Sequence, residues 1–358
     1  MIREIGSEFN IESVIGSGIR GCIHRGYVDH VYTRSGREAI GFILDELTPN
    51  RRIAALPAYI CEAMLQPFLS RGYSIEYFGV DESFNPNIDG VKAALSKEPD
   101  ILLVIDWFGM KKNEEVVSIA RKHRGDIVVL VDCTHSFFHD SVISGVDYVV
   151  ASLRKWLPLP DGAIAASCKQ KFKNELEHKD SRFTDLRKNA MTMKTDYLAT
   201  GRRALKVEYR RVLQEAELLL ACGDEVYEMS PFSLFLLSRM DWDDMRTRRC
   251  QNFNALYRSL TNRASAIVVP IVDSLATELE CPFSFPILVA NNRDELQAWL
   301  AEHGIYCPVL WPLPQCAYGS DRVSAYLSDS MLSIPCDQRY SVDDMEHIVD
   351  VLCGFATC

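Results

Sequence analysis

Two five-residue runs, Ile101-Leu102-Leu103-Val104-Ile105 and Ile127-Val128-Val129-Leu130-Val131, are apolar at every position. A strand with one face in water alternates apolar and polar side chains, whereas a strand apolar throughout is buried on both faces. Such strands belong to parallel sheets covered by helices, and Glu114 to Lys122, between the two runs, has helical spacing. The same alternation begins at Ser35. Glu38 to Leu47 reads as helix, Arg52 to Leu56 as extended, Cys61 to Leu69 as helix, Tyr73 to Phe78 as extended and Asp89 to Ser96 as helix.

Two short strands, Tyr148 to Val150 and Ala163 to Ala166, come next, and Phe183 to Leu220 forms one or two long helices. A helix over Asp243 to Leu260 leads into strands near Ala266 to Val269, Ser284 to Val289 and Leu332 to Ile334, and Asp343 to Leu352 closes as an amphipathic helix. The expected architecture is α/β: a three-layer αβα large domain on a mostly parallel sheet, with a smaller C-terminal α/β domain. We divide it into an N-terminal arm (1–34), a large domain (35–225) and a small domain (226–358).

The 358 residues are 47% hydrophobic and 25% charged, enough apolar material for an extensive core. With 39 basic and 49 acidic residues the net charge is −10, and no basic block marks a nucleic-acid footprint. Arg246-Thr247-Arg248-Arg249 reads as a solvated helix face. The start of the chain lacks an apolar core of signal-peptide length, and no run of about 18 apolar residues occurs, so a soluble, cytoplasmic protein with no membrane partner is expected. The twelve cysteines are scattered without a CxxC pair, and His123, His139 and His303 lack partners at ligand spacing, so no metal site is expected. Gly16-Ser17-Gly18-Ile19-Arg20-Gly21 fits a dinucleotide fingerprint, but no convincing helix follows, and a glycine-rich arm is the preferred reading.

In open parallel sheets ligands bind beyond the carboxyl ends of the strands, so residues just after strands carry the chemistry. Asp132 and His135 follow one strand, Ser152 and Lys155 the next. A lysine there can form a Schiff base with an aldehyde cofactor, and an acid facing a pyridine nitrogen keeps that ring an electron sink. Ser35-Gly36-Arg37-Glu38 is a helix start suited to holding an anion.

Together, Asp132-x-x-His135-Ser136 and Ser152-x-x-Lys155 resemble the fold type I pyridoxal phosphate enzymes of the aspartate aminotransferase superfamily. Within them the chain looks closest to the DegT/StrS-like aminotransferases. Ser35-Gly36-Arg37-Glu38-Ala39 is similar to that branch's Ser-Gly-Thr-x-Ala helix start, Leu56-Pro57-Ala58-Tyr59 to its Pro-x-Tyr, Phe108-Gly109 to its aromatic-Gly turn and Pro160-Asp161-Gly162 to its acidic-Gly turn. The resemblance covers about residues 35 to 170, and the rest loosely through Ile334-Pro335 and the closing helix. It implies a pyridoxal 5'-phosphate site. Asp132 would face the pyridine nitrogen and His135 the phenolic oxygen. Ser35, Gly36, Arg37 and Ser152 would hold the phosphate, while Lys155 forms the Schiff base and shuttles the proton.

The pattern departs from that branch in its serine-to-lysine spacing and at Cys61, where a ring-stacking aromatic is usual, so Tyr59 or Trp107 becomes the expected stacking residue. Lys155 argues against the related dehydratases that carry histidine there. The resemblance implies an aminotransferase acting on an amino acid donor and a carbonyl acceptor such as a keto-sugar nucleotide. It also implies a homodimer with active sites at the interface. A cysteine desulfurase or lyase and a non-catalytic protein of this fold are the alternatives. Arg339, in a C-terminal loop, is a candidate carboxylate clamp or a surface arginine.

Overall fold

The computed structural model describes residues 4–11, 26–109, 113–138, 143–176, 181–221, 223–263, 268–272, 274–277 and 281–355. The 16–21 glycine segment, His139 and the first two residues of the strand expected near Ala266 lie outside them. In chain order the elements are β1 (Asp29–Thr33), α1 (Gly36–Glu46), β2 (Ile53–Pro57), α2 (Glu62–Ser70), β3 (Ser74–Phe78), α3 (Ile88–Leu95), β4 (Ile101–Ile105), α4 (Glu114–His123), β5 (Val128–Asp132), β6 (Tyr148–Ser152) and β7 (Ala163–Ser167). There follow α5 (Arg182–Thr200), α6 (Arg203–Ala221), α7 (Pro231–Leu237), α8 (Trp242–Asn262), β8 (Val268–Pro270), β9 (Phe285–Val289), α9 (Arg293–Glu302), α10 (Gln315–Tyr318), α11 (Arg322–Ser330), β10 (Met331–Ile334) and α12 (Val342–Phe355).

Seven strands form one sheet in the order β1-β7-β6-β5-β4-β2-β3. Strands β2 to β6 are parallel to their neighbours among themselves, and β7 runs antiparallel to both β6 and β1. The alternation of side chains divides the apolar runs between two cores. Leu102, Val104, Val129, Val131 and Val149 point to the face covered by α3, α4, α7 and the start of α8. Ile101, Leu103, Ile105, Leu130 and Val150 point to the face covered by α1 and α2. This is the three-layer arrangement expected from the sequence. The long helical stretch is two helices, because Gly201, at φ 73°, terminates α5 in the left-handed conformation that a glycine C-cap adopts readily.

Strands β8, β9 and β10 form a second, antiparallel sheet. Its core joins Phe285, Ile287, Leu332 and Ile334 to Leu296 and Leu300 of α9 and Ile348 and Val349 of α12. Helix α8 belongs to both cores: Trp242 and Met245 pack on the large sheet, Phe253, Leu256 and Leu260 on the small one. The first 34 residues likewise divide. Ile5 pairs with Ile305 and is buried in the small core, while β1 lies at the edge of the large sheet.

Asp161, 1% exposed, fastens the β6–β7 turn to α5 and α7. It accepts hydrogen bonds from Thr184 Oγ1 (3.1 Å), from the N–H (2.9 Å) and hydroxyl (2.7 Å) of Ser230, and from Ser233 Oγ. Asp161→Ala leaves these buried donors without an acceptor, and a loss of about 2–4 kcal/mol is expected in urea unfolding.

Candidate active site

Asp132 is the last residue of β5 and is 7% exposed; one of its oxygens accepts the N–H of Thr134 at 2.7 Å. Burial raises its carboxyl above the ordinary range, against the hydrogen bonds of Thr134 and the charge of Lys155. His135 follows in the turn and is 2% exposed. Its Nδ1 accepts the N–H of Phe108 at 3.3 Å, which leaves the proton on Nε2, a buried donor with no partner among the described residues. Phe108 can aim its N–H there because it sits at φ 58°, followed by Gly109 at φ 70°. Burial, then the charges of Lys155 and Arg249, push the His135 imidazole well below its usual pKa, so it is neutral.

The second turn begins at Ser152, the end of β6, and one turn of 3₁₀ helix carries Leu153 to Lys155. Thr134 ties the two turns together: its Oγ1 accepts the N–H of Ser152 at 3.0 Å, and its carbonyl accepts the indole N–H of Trp156. Gly162 O accepts from the N–H groups of Leu153 (3.0 Å) and Arg154 (3.3 Å), and Gly162 N–H donates to Arg34 O at 2.7 Å. Gly162 lies at φ 138°, and a Cβ there would stand 2.8 Å from Met229 Cε, so the turn needs glycine. Trp156 is fully buried while Lys155 is exposed beside it. The Lys155 charge acts on Asp132, His135 and Cys61 alike, so these four share one electrostatic neighbourhood.

The start of α1 abuts the same place, for a Cβ on Gly36 would meet Ser152 Cβ at 3.3 Å. Ser35 caps the helix in a reciprocal box: its Oγ accepts the N–H of Glu38 (3.4 Å) and donates to the Glu38 carboxylate (2.7 Å), which Arg34 pairs at 2.7 Å. The Ser152 hydroxyl has no hydrogen-bond partner among the described residues. Asp132, His135, Ser152, Lys155, Ser35 and Gly36 are thus brought together.

Arg37, Tyr59 and Arg339 are committed to partners within the chain, and Trp107 is 1% exposed beside Tyr59. Arg37 Nη1 donates to Leu220 O at 2.7 Å and faces a cavity beside α6 that adjoins the one at Lys155 through Ser7, Glu8 and Glu217. Tyr59 is fully buried, its hydroxyl donating to Leu310 O at 3.2 Å and its ring packed against Phe84, Trp107 and Trp311. Arg339 is neither a free clamp nor a surface side chain. It forks onto Asp337 at 2.8 and 2.9 Å, and its Nη1 donates to the carbonyls of Ser7 (2.7 Å) and Glu8 (3.2 Å).

A cavity of about 430 Å³ opens beside Lys155, walled by residues 6–9, Arg154, Arg249, Phe283, Ser284, Ser333 and Arg339. Phe283 also lies on the His135 ring, centroids 3.9 Å apart and planes at 22°, with Trp311 at 4.6 Å. The sequence reading missed Phe283 and put Arg249 on a solvated face; Trp311 reads from the sequence as part of a C-terminal loop that could cover substrate. Arg249 is 1% exposed and not on a solvated face. A signal existed: Trp242, Met245, Arg249, Phe253, Leu256 and Leu260 follow helical three- and four-residue spacing, so the arginine stands in the apolar stripe of α8.

No family model matches the chain, and no curated protein does. Solved structures do. A DegT DnrJ EryC1 StrS aminotransferase from Brucella abortus is 18% identical with a TM-score of 0.61, covering 93% of this chain and 87% of that one. The aminotransferase TlmJ from Streptoalloteichus hindustanus is 16% identical with a TM-score of 0.64, over 92% and 86%. A putative sugar aminotransferase from Streptococcus pneumoniae, in its PLP-form, is 14% identical with a TM-score of 0.63, over 95% and 92%. The chain therefore shares the fold of these aminotransferases. Among the described residues no helix is long and apolar enough to cross a membrane, and no cluster of His, Cys, Asp and Glu is suited to a metal.

Two measurements check the electrostatics. Nitrogen NMR is expected to show His135 as the neutral Nε2–H tautomer from neutrality down to about pH 5.5, without the titration of an ordinary imidazole. Arg154, just before Lys155, forks onto Glu217 at 2.7 and 3.3 Å, and Arg187 joins at 2.9 Å. Burial alone would raise the Glu217 carboxyl, but Arg154, Arg187 and Arg37 outweigh it and hold the pKa at about 2, against 4.5 for a free side chain. Because the folded value is depressed, this contribution is present above pH 4.5 and fades as the pH falls towards 2. Glu217→Gln should flatten the acid limb of the stability curve over that window.

Proposed function

We propose that this chain is a pyridoxal phosphate-dependent aminotransferase that moves an amino group from an amino acid to a carbonyl acceptor, with Lys155 Nζ as the covalent anchor and proton carrier. The observation that carries this reading is the His135 Nε2–H, a buried donor with nothing to bond, beside a buried strand-end carboxylate and a lysine. A neutral imidazole of that tautomer suits the phenolic oxygen of the cofactor, and Asp132 suits its ring nitrogen. The Ser152 hydroxyl and the N-terminus of α1 at Gly36 suit its phosphate. Ser35 contributes through this helix start, since its own hydroxyl is committed to Glu38.

When bound, pyridoxal phosphate supplies an electron sink that acidifies the α-carbon of an amino acid. This chain's residues then divide the rest. Lys155 Nζ would anchor the cofactor and, as a free amine, would accept the α-proton and return it on the other side of the transfer. Asp132, whose carboxyl burial raises, would be kept ionised by a protonated ring nitrogen beside it and would hold that nitrogen's charge. His135, fixed by the Phe108 N–H, orients the cofactor without carrying charge itself.

The acceptor we favour is a keto-sugar, as the names of the S. pneumoniae and related neighbours suggest. A homodimer belongs to this reading, and the exposed Val207 and Leu218 on α6 offer apolar surface for a second copy. A cysteine desulfurase needs a reactive thiolate. Cys61, which shares the field of Lys155, has its thiol pushed up by burial, and Cys168 and Cys307 are pushed up to about 11 and about 12, so these three cysteines do not favour it.

Adding pyridoxal phosphate to the purified chain should produce a visible absorption band, and borohydride should fix the cofactor to Lys155, read by mass spectrometry. Lys155→Ala should lose both the band and the adduct. Titrating amino acids singly should then bleach the band with release of the keto acid. Absence of any cofactor band overturns the proposal, and release of sulfide from cysteine without keto acid would turn it into a desulfurase.

A further inference from the structure

Asp106 stands one residue beyond β4 and is 7% exposed, yet among the described residues no cation pairs with it. Its carboxylate is met by two neutral, buried donors: Ser136 Oγ donates to Oδ2 at 2.7 Å and Asn113 Nδ2 to Oδ1 at 3.0 Å. Asn113 is anchored in turn, because the same nitrogen also donates to Ile105 O at 2.8 Å. An acid enclosed in this way is costlier to fold than a neutral side chain of its shape. Burial lifts its carboxyl to about 6, against the hydrogen bonds of Ser136 and Asn113 and with a smaller push from the charge of Asp132.

Ser136 follows His135 directly, so the bond from its hydroxyl restrains the turn that carries the imidazole. Two backbone donors join the same turns: Asp106 N–H reaches Asp132 O at 3.1 Å, and Phe108 N–H reaches His135 Nδ1 at 3.3 Å. Residues 106–108 therefore touch the acid, the histidine and the serine at the next strand end, and the Asp106–Ser136 bond is the contact that carries an ionisable group. The other ionisable groups around it are Asp132 at the end of β5 and His135 in the same turn, on which the charge of Lys155 acts, with Arg249 acting on His135 as well. Glu114 and Glu115, which open α4 next to Asn113, are exposed.

We infer that Asp106 is a positioning residue of this site: through the Ser136 hydroxyl it fixes the turn that bears His135 and so sets the direction of the His135 Nε2–H. This rests on the reading of that N–H as the donor to the cofactor's phenolic oxygen. Asp106 acts at one remove. Phe108 holds one ring nitrogen, the aim of the other follows the ring, and a shift of the backbone at Ser136 moves both. An acid in this place also makes the support respond to protons. The hydroxyl donates a charge-assisted bond to the carboxylate, and that bond weakens when the carboxyl takes up a proton.

The test uses the full chain without cofactor, its histidines labelled with nitrogen-15, and follows the His135 ring nitrogens from about pH 8 to about pH 5. The imidazole stays neutral, but its signal should carry a small inflection centred near pH 6, where Asp106 titrates. Asp106→Asn, close in shape but without the ionisation, should abolish the inflection and keep the tautomer. Ser136→Ala should move the His135 signal at pH 8 and shrink the inflection, because the link runs through that hydroxyl. Uptake of pyridoxal phosphate, read by absorbance, gives a second arm: Asp106→Ala and Ser136→Ala should each weaken it about two- to tenfold, and the double variant no further, since both break one hydrogen bond. If Asp106→Ala does not fold, the asparagine and Ser136 variants decide through the histidine signal. No inflection in the unaltered chain, an inflection kept in Asp106→Asn, an unmoved His135 signal in Ser136→Ala, or additive losses in the double variant would overturn the inference. A chain whose His135 signal follows Asp106 but which takes up no pyridoxal phosphate would sink the aminotransferase reading while sparing the link between these residues.

Discussion

Parallel pairing of β5 with β6, in the register Asp132 to Val150, is the constraint on which the site rests. It ends both strands at the same edge of the sheet, so that the acid after one and the serine and lysine after the other open on the same side. Thr134 then locks the two turns with its hydroxyl and its carbonyl, one holding Ser152 and the other the indole of Trp156. The strands themselves are held by apolar contacts on both faces, far stiffer than the loops they carry. A loose lysine side chain is therefore mounted on a backbone with little freedom.

The electrostatics of the region follow from how its many arginines are satisfied. Arg34 takes Glu38, Arg154 and Arg187 share Glu217, and Arg339 takes Asp337. Two of these contacts join parts distant in sequence: Glu217 brings α6 to the Lys155 turn, and Arg339, paired locally with Asp337, also reaches the carbonyls of Ser7 and Glu8. Arg249 has no carboxylate within ion-pair distance among the described residues; its hydrogen bonds go to Gln338, Phe283 and Pro282, and the charge of Asp337 acts from farther off. His135 feels the charge of Arg249, and this, with burial and Lys155, holds the imidazole neutral.

Much of this was legible in the sequence where a local pattern carries physical meaning. The wholly apolar runs announced β4 and β5, the alternation announced α1 to α4, and the residues just after the strands marked Asp132, His135, Ser152 and Lys155 before any coordinates. Where the signal was weak the reading fell short. Strand β1 has only one buried residue, Thr33, so no apolar pattern betrays it, and it owes its place to pairing with β7. Helix α7, seven residues of mixed character, is held by its packing on the large sheet and by Ser230 and Ser233 on Asp161. Arg249 was assigned to water with its neighbours because charge was weighed before periodicity.

The sequence by itself determined the layered sheet and the order of acid, histidine, serine and lysine along it, because strand burial and strand-end chemistry are written in adjacent residues. Tertiary structure alone decided which groups are spent and which are free. Arg339 and Arg249 are both arginines of the C-terminal part of the chain; Asp337 stands two residues before the first, but nothing adjacent to the second tells which acceptors it meets. One meets Asp337 and the backbone at Ser7 and Glu8, while the other meets only amides and carbonyls. That difference comes from partners up to hundreds of residues away, brought close by the packing of the two units, and a linear pattern does not carry it.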